Sequence, residues 1–176
     1  MFSFLKTKAT LFELAESVFN HTINANAEYD AAVLERAKSS GYDVDGFAFE
    51  YLCLRMFSTL AGVRHALSSP LWEAFLDQWF ARVRLYTESL GLQQIIQTTR
   101  GGEIKAMDQW ITGRILIYME IVSNNPHDHT LKIAAKFSEL CSGDPKNTWL
   151  NHIGESTFIV RANAIALGLK SVRAVP

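Results

Sequence analysis

Charge is scarce in this chain. Asp, Glu, Lys and Arg supply 20% of its 176 residues, where an average soluble domain has roughly a quarter. The 17 basic residues nearly cancel the 18 acidic ones, leaving a net charge of -1. Neither sign is in excess, so the electrostatic footprint that phosphate-backbone binding requires is missing, and nucleic acid is set aside as a main partner. The few isolated cations near the ends (Lys6, Lys8, Arg161, Lys170 and Arg173) read as solvated tails.

Long apolar runs are missing as well. Glu50, Arg55, Arg64, Arg114, Glu120 and Arg161 interrupt every stretch that approaches the ~20 residues a spanning helix needs, so no membrane span is expected. The opening Met1-Phe2-Ser3-Phe4-Leu5-Lys6 lacks the long apolar segment and small-residue cleavage site of a secretory signal. The expected location is cytoplasmic, where the Asn20-His21-Thr22 sequon is idle. Cysteine is limited to Cys53 and Cys141, each inside an apolar pattern where a reduced thiol behaves as a small hydrophobe.

What the chain has is apolar bulk: 48% hydrophobic residues, with four tryptophans and eleven phenylalanines. A chain of this length buries roughly 70% of its unfolded surface in one core and needs no disulfide or metal to fold. One domain over 1–176 is expected, with loosely ordered tails at 1–9 and 170–176. Apolar residues recur at three and four, rarely at two, which predicts an all-α fold: a compact bundle of about seven helices. Short connections make most neighbours antiparallel.

The helix boundaries come from turn and cap residues. Thr10 with Glu13 starts a first helix striped by Leu11, Leu14, Ala15, Val18 and Phe19. A second runs from about Glu28 to Gly41, a third from an Asp45 cap to about Leu67, and a fourth from Ser69-Pro70 to Gly91. The polar stretch 93–102, with Gly101-Gly102, is the longest expected connection and the loop expected to move. A fifth helix spans about 103–123, a sixth starts at Asn125-Pro126 and ends at Gly143, and a seventh runs from Asp144-Pro145 to about Leu169. The third and fifth are apolar nearly all round, which predicts two central helices. The seventh is the third strongly apolar one.

Motifs for specific chemistry fail on geometry. His127-Asp128-His129 offers three metal-capable side chains in one turn, but i and i+2 on a helix point apart. Asp43-Val44-Asp45-Gly46 resembles the middle of a calcium loop, yet that frame puts Gly41 and Leu52 where carboxylates are needed. His152-Ile153-Gly154-Glu155 reverses the di-iron order and occurs once. Gly101-Gly102 has neither phosphate-loop spacing nor a preceding strand. No metal, other cofactor or catalytic residue is expected.

One feature asks for chemistry. Each of the three most apolar helices carries an arginine well inside it: Arg55, Arg114 and Arg161. A buried guanidinium without a partner costs several kcal/mol. It is met by internal carboxylates such as Glu50, Glu120, Glu155 or Asp108, or by an anionic ligand between helices amid aromatic walls such as Tyr51, Trp110 and Tyr118. Scarce charge and apolar helices predict a non-enzymatic protein that acts by protein–protein interaction, self-associating as a dimer through an apolar helical face. The alternative is binding of a small anionic amphiphile in an inter-helix pocket anchored by one of the arginines, and an enzyme of unknown reaction is the third reading.

Overall fold

Thr10 and Glu13 close the first helical turn from both sides: Glu13 N–H donates to Thr10 Oγ1 at 3.2 Å, and Thr10 N–H donates to Glu13 Oε2 at 2.9 Å. This reciprocal cap opens α1 (Leu11–Asn24). The structure, a computed structural model, describes residues 8–24, 27–89, 97–98, 104–105, 107–170 and 172–175. Among these residues α1 is followed by α2 (Ala27–Ser39), α3 (Val44–Ala66), α4 (Ser69–Ser89), α5 (Met107–Asn124), α6 (His129–Ser142) and α7 (Thr148–Leu169). The fold is all-α, as predicted, with seven helices among the described residues. One cluster of buried apolar residues draws on all of them. None of these helices is long and apolar enough to cross a membrane.

Helix α3 is the axis. Thirteen of its 23 residues are buried, because α1, α2, α5, α6 and α7 all pack on it. Two glycines let α7 wedge between α3 and α6. A Cβ on Gly62 would lie 2.5 Å from the Ala162 carbonyl oxygen, and one on Gly154 would lie 3.0 Å from Ala134 Cα. Only a residue without a side chain permits backbones that close.

Helix α5 is not a second central helix, contrary to the prediction. Only Ile111, Ile115 and Tyr118 are buried among its 18 residues, and Leu116 is 54% exposed. α5 packs on α3, α4 and α6, and among the described residues no helix covers its outer apolar side chains. All-round apolarity reports burial only when partners exist on every side.

Several caps also differ from the sequence reading. α3 starts two residues earlier, at an Asp43 cap whose carbonyl accepts from Phe47 N–H at 2.9 Å. Asn125 closes α5 and does not open α6: its Nδ2 donates to the Ile121 carbonyl at 2.9 Å. Residues 125–128 then form a turn before α6. Asn147, not Asp144, caps α7 by accepting from Leu150 N–H at 3.1 Å. Gly41 and Gly143 end α2 and α6 with φ of 81° and 76°, the left-handed conformation glycine adopts freely.

Short strands occur where no strand was predicted. Lys8–Thr10 (β1) pairs in parallel with Arg173–Val175 (β4), with Ala9 opposite Ala174. This ties together parts of both expected tails, while residues 1–7, 171 and 176 lie outside the described residues. Gln97–Thr98 (β2) pairs antiparallel with Ile104–Lys105 (β3). Apart from that pairing, the expected moving loop at 93–102 also lies outside them.

Candidate functional site

The three mid-helix arginines have three different surroundings. Arg55, on α3, is buried and forms an ion pair with Asp30 Oδ2 of α2 at 2.6 Å. It also donates to the Thr22 carbonyl of α1. The other oxygen of the same carboxylate, Oδ1, accepts from the Tyr51 hydroxyl at 3.0 Å. Both oxygens of Asp30 are therefore engaged. Burial, and then the adjacent Asp30 charge, push the Tyr51 phenol well above its ordinary range, so it remains a donor.

Arg114, on α5, donates from Nε to Glu50 Oε1 at 2.7 Å, with its guanidinium carbon 5.5 Å from the Trp110 ring centre. Glu50 is buried, and desolvation raises its pKa against the opposing pull of Arg114. Among the described residues its Oε2 has no hydrogen-bond partner, and neither does the fully buried Tyr118 hydroxyl. Tyr118 stacks on Phe57 at 5.2 Å. Burial holds its phenol protonated, reinforced by the Glu50 charge.

Arg161, on α7, is half-buried and makes no ion pair or hydrogen bond with any other described residue. Its pKa is lowered first by desolvation and then by the neighbouring Arg55, with Asp30 acting weakly in the opposite sense. It lines an open cavity of about 530 Å³ with His21, Tyr29, Tyr51, Ser156, Thr157, Val160 and Ala164. The Thr157 hydroxyl, buried and without a well-formed hydrogen bond, favours the ionised form of Tyr51. His21 is held below the usual histidine value of 6.5 by burial first, then by Arg161 and Arg55. Near neutral pH its imidazole is uncharged.

Of the six residues singled out from the sequence, Arg161 and Tyr51 share this cavity. Arg55 stands against Tyr51, 6.0 Å from its ring centre. Arg114, Trp110 and Tyr118 gather instead around Glu50. The sequence reading missed His21, Tyr29 and Thr157. Each lies on a helix whose pattern identifies an apolar face but not the neighbour across it.

Other reactive groups are quiet. Burial pushes both cysteine thiols up, Cys53 and Cys141 alike, with Glu50 adding to the shift. Thiols so shifted are poor nucleophiles. Among the described residues no three His, Cys, Asp or Glu side chains converge as a metal site, the His127-Asp128-His129 turn included. No family model, curated protein or solved structure matches this chain, so its function is read from the geometry of the site itself.

Proposed function

We propose that this protein binds a small anionic amphiphile in the Arg161 cavity, with a carboxylate or phosphate on the guanidinium and an apolar portion against Val160 and Ala164. One observation carries the reading: two cations, Arg55 and Arg161, face a single carboxylate among the described residues, and its two oxygens are already taken by Arg55 and Tyr51. The excess positive charge sits where desolvation strengthens any ionic contact. A guanidinium offers paired N–H groups that match the oxygens of such a head group. Tyr29 and Tyr51 supply aromatic walls, and the Thr157 hydroxyl supplies a further polar contact. An anion in the cavity also favours the charged form of His21, so binding takes up a proton and strengthens as pH falls through the His21 titration.

The test is a melting curve with hexanoate and with hexyl phosphate. Either compound raises the melting temperature of the wild type, and neither raises that of Arg161→Gln. An equal rise in both proteins, or no rise with either compound, contradicts the reading. Native mass spectrometry of freshly purified protein offers a direct look at a carried ligand.

A second reading, self-association or a protein partner, rests on the outer side of α7. Val160 and Leu167 are 66% and 62% exposed, and seven residues place them on one face. Light scattering after size exclusion tests it: Leu167→Glu shifts a dimer to monomer, and a wild type that is monomeric at high concentration removes this reading.

A further inference from the structure

We propose a second binding site, for a planar aromatic carboxylate, in a cavity on the opposite face of α3 from Tyr51 and Arg55. This cavity, of about 500 Å³, shares no lining residue with the Arg161 cavity and stands independently of that reading. Its size falls within the range of small-molecule sites, roughly 300–1,000 Å³. Phe57, Leu60, Trp72, Met119, Val122 and Phe158 form its apolar wall.

The wall suits a flat ring. Phe57 lies nearly parallel to both Tyr118 and Phe158, at 26° and 10° with centres 5.2 and 5.6 Å away, so a ladder of rings reaches the cavity. An aromatic guest adds to such a ladder by offset stacking, and Met119 supplies a polarisable thioether contact.

The mouth suits an anion. Arg64, His65 and His129 line it, and no carboxylate appears among its described lining residues. Arg64 lays its guanidinium over Trp72, 5.8 Å from the ring centre, and makes no ion pair with a described residue. Its N–H groups, which have no carboxylate partner among the described residues, are open to a carboxylate guest. His129 stands edge-on to Phe158 at 88°, with Nδ1–H donating to the Pro126 carbonyl at 3.2 Å, so it adds a further ring edge to the wall and Arg64 is the group that meets the carboxylate. An apolar aromatic body with one anionic group satisfies both halves of the site.

The probe is 2-naphthoate, with 2-naphthalenemethanol as its uncharged counterpart, each titrated calorimetrically into the full chain. The naphthoate binds at least tenfold more tightly than the alcohol, and Arg64→Gln removes that preference. Ala61→Phe, which fills the cavity from α3, weakens both ligands by tenfold or more at this site, while Arg161→Gln, which removes any naphthoate held in the first cavity, keeps the Arg64-dependent preference for the acid. Equal affinity for acid and alcohol in the wild type, undiminished binding to Ala61→Phe, or loss of binding in Arg161→Gln overturns the proposal. If Ala61→Phe does not fold, the Arg64→Gln titrations decide alone, because Arg64 is exposed and its replacement gives up only the guanidinium contact over Trp72. Failure here is distinguishable from failure of the Arg161 reading, which responds to hexyl phosphate and to Arg161→Gln.

Discussion

The two polar clusters against α3 are mismatched in opposite directions. Around Asp30, two guanidinium groups face one carboxylate with both oxygens engaged. Around Glu50, one guanidinium meets a carboxylate that still has a buried free oxygen, and the Tyr118 hydroxyl beside it is unmatched too. Among the described residues, the first cluster has more cations than carboxylates, and the second has an acceptor without a donor or a proton. Among the described residues, the Arg161 cavity opens beside the first cluster, which is where the proposed ligand would meet the mismatch.

Replacing each arginine by methionine, which keeps bulk and removes charge, separates these situations in urea unfolding at neutral pH. Arg55→Met has the largest effect, a loss of about 3–5 kcal/mol, because it leaves the buried Asp30 without its cation. It also removes one of the two side-chain ties from α3 to Asp30, leaving the Tyr51 hydrogen bond. A loss under ~1 kcal/mol would mean that the Tyr51 hydrogen bond alone holds Asp30, and the contrast between the clusters would collapse.

Arg114→Met costs less, about 2 kcal/mol, since burial already raises the Glu50 pKa and a carboxyl left without its cation can neutralise. The sign follows from linkage. A carboxyl raised in the folded state binds more protons folded than unfolded, so its penalty is absent below the ordinary value of 4.5 and complete above the raised one. The Arg114→Met deficit therefore shrinks on acidification toward pH 5, and adding Glu50→Gln recovers most of it at pH 7. A deficit independent of pH would place the loss in packing on Trp110 instead.

Arg161→Met stays within about 1 kcal/mol of the wild type, on either side, because no internal partner is orphaned. A loss as large as that of Arg55→Met would show a structural partner for Arg161. The smallest effect is at His21. Its proton resonance titrates below 6.5 in the wild type, and Arg161→Met moves the midpoint upward by removing a repelling charge. A lowered imidazole pKa means stability is complete above 6.5 and declines as pH falls through the depressed value. This decline is shallower in the variant.

Sequence pattern revealed helix class and the role of α3, because residues such as Met56, Phe57 and Leu60 are apolar on every side and the fold covers every side. The same rule misjudged α5, where Leu116 is as apolar but faces no helix. Asn125 and Asp144 are good caps by type, yet Asn125 closes the helix before it and Asn147 takes the place of Asp144. Local preference allows both choices, and the path of the chain selects one. The arginines were legible as a problem from burial alone. Which of them lacked an anion was not, because it depends on Tyr51 and Arg55 sharing Asp30 across more than twenty residues of sequence.

The central claim is that Arg161 alone among the three holds its guanidinium open for an external anion. The side-chain Nε–H resonances of Arg55, Arg114 and Arg161, followed by NMR during a hexyl phosphate titration, test it most directly. The account predicts a saturable shift of the Arg161 signal with Arg114 unmoved; a shift centred on Arg114, or none at Arg161, contradicts it.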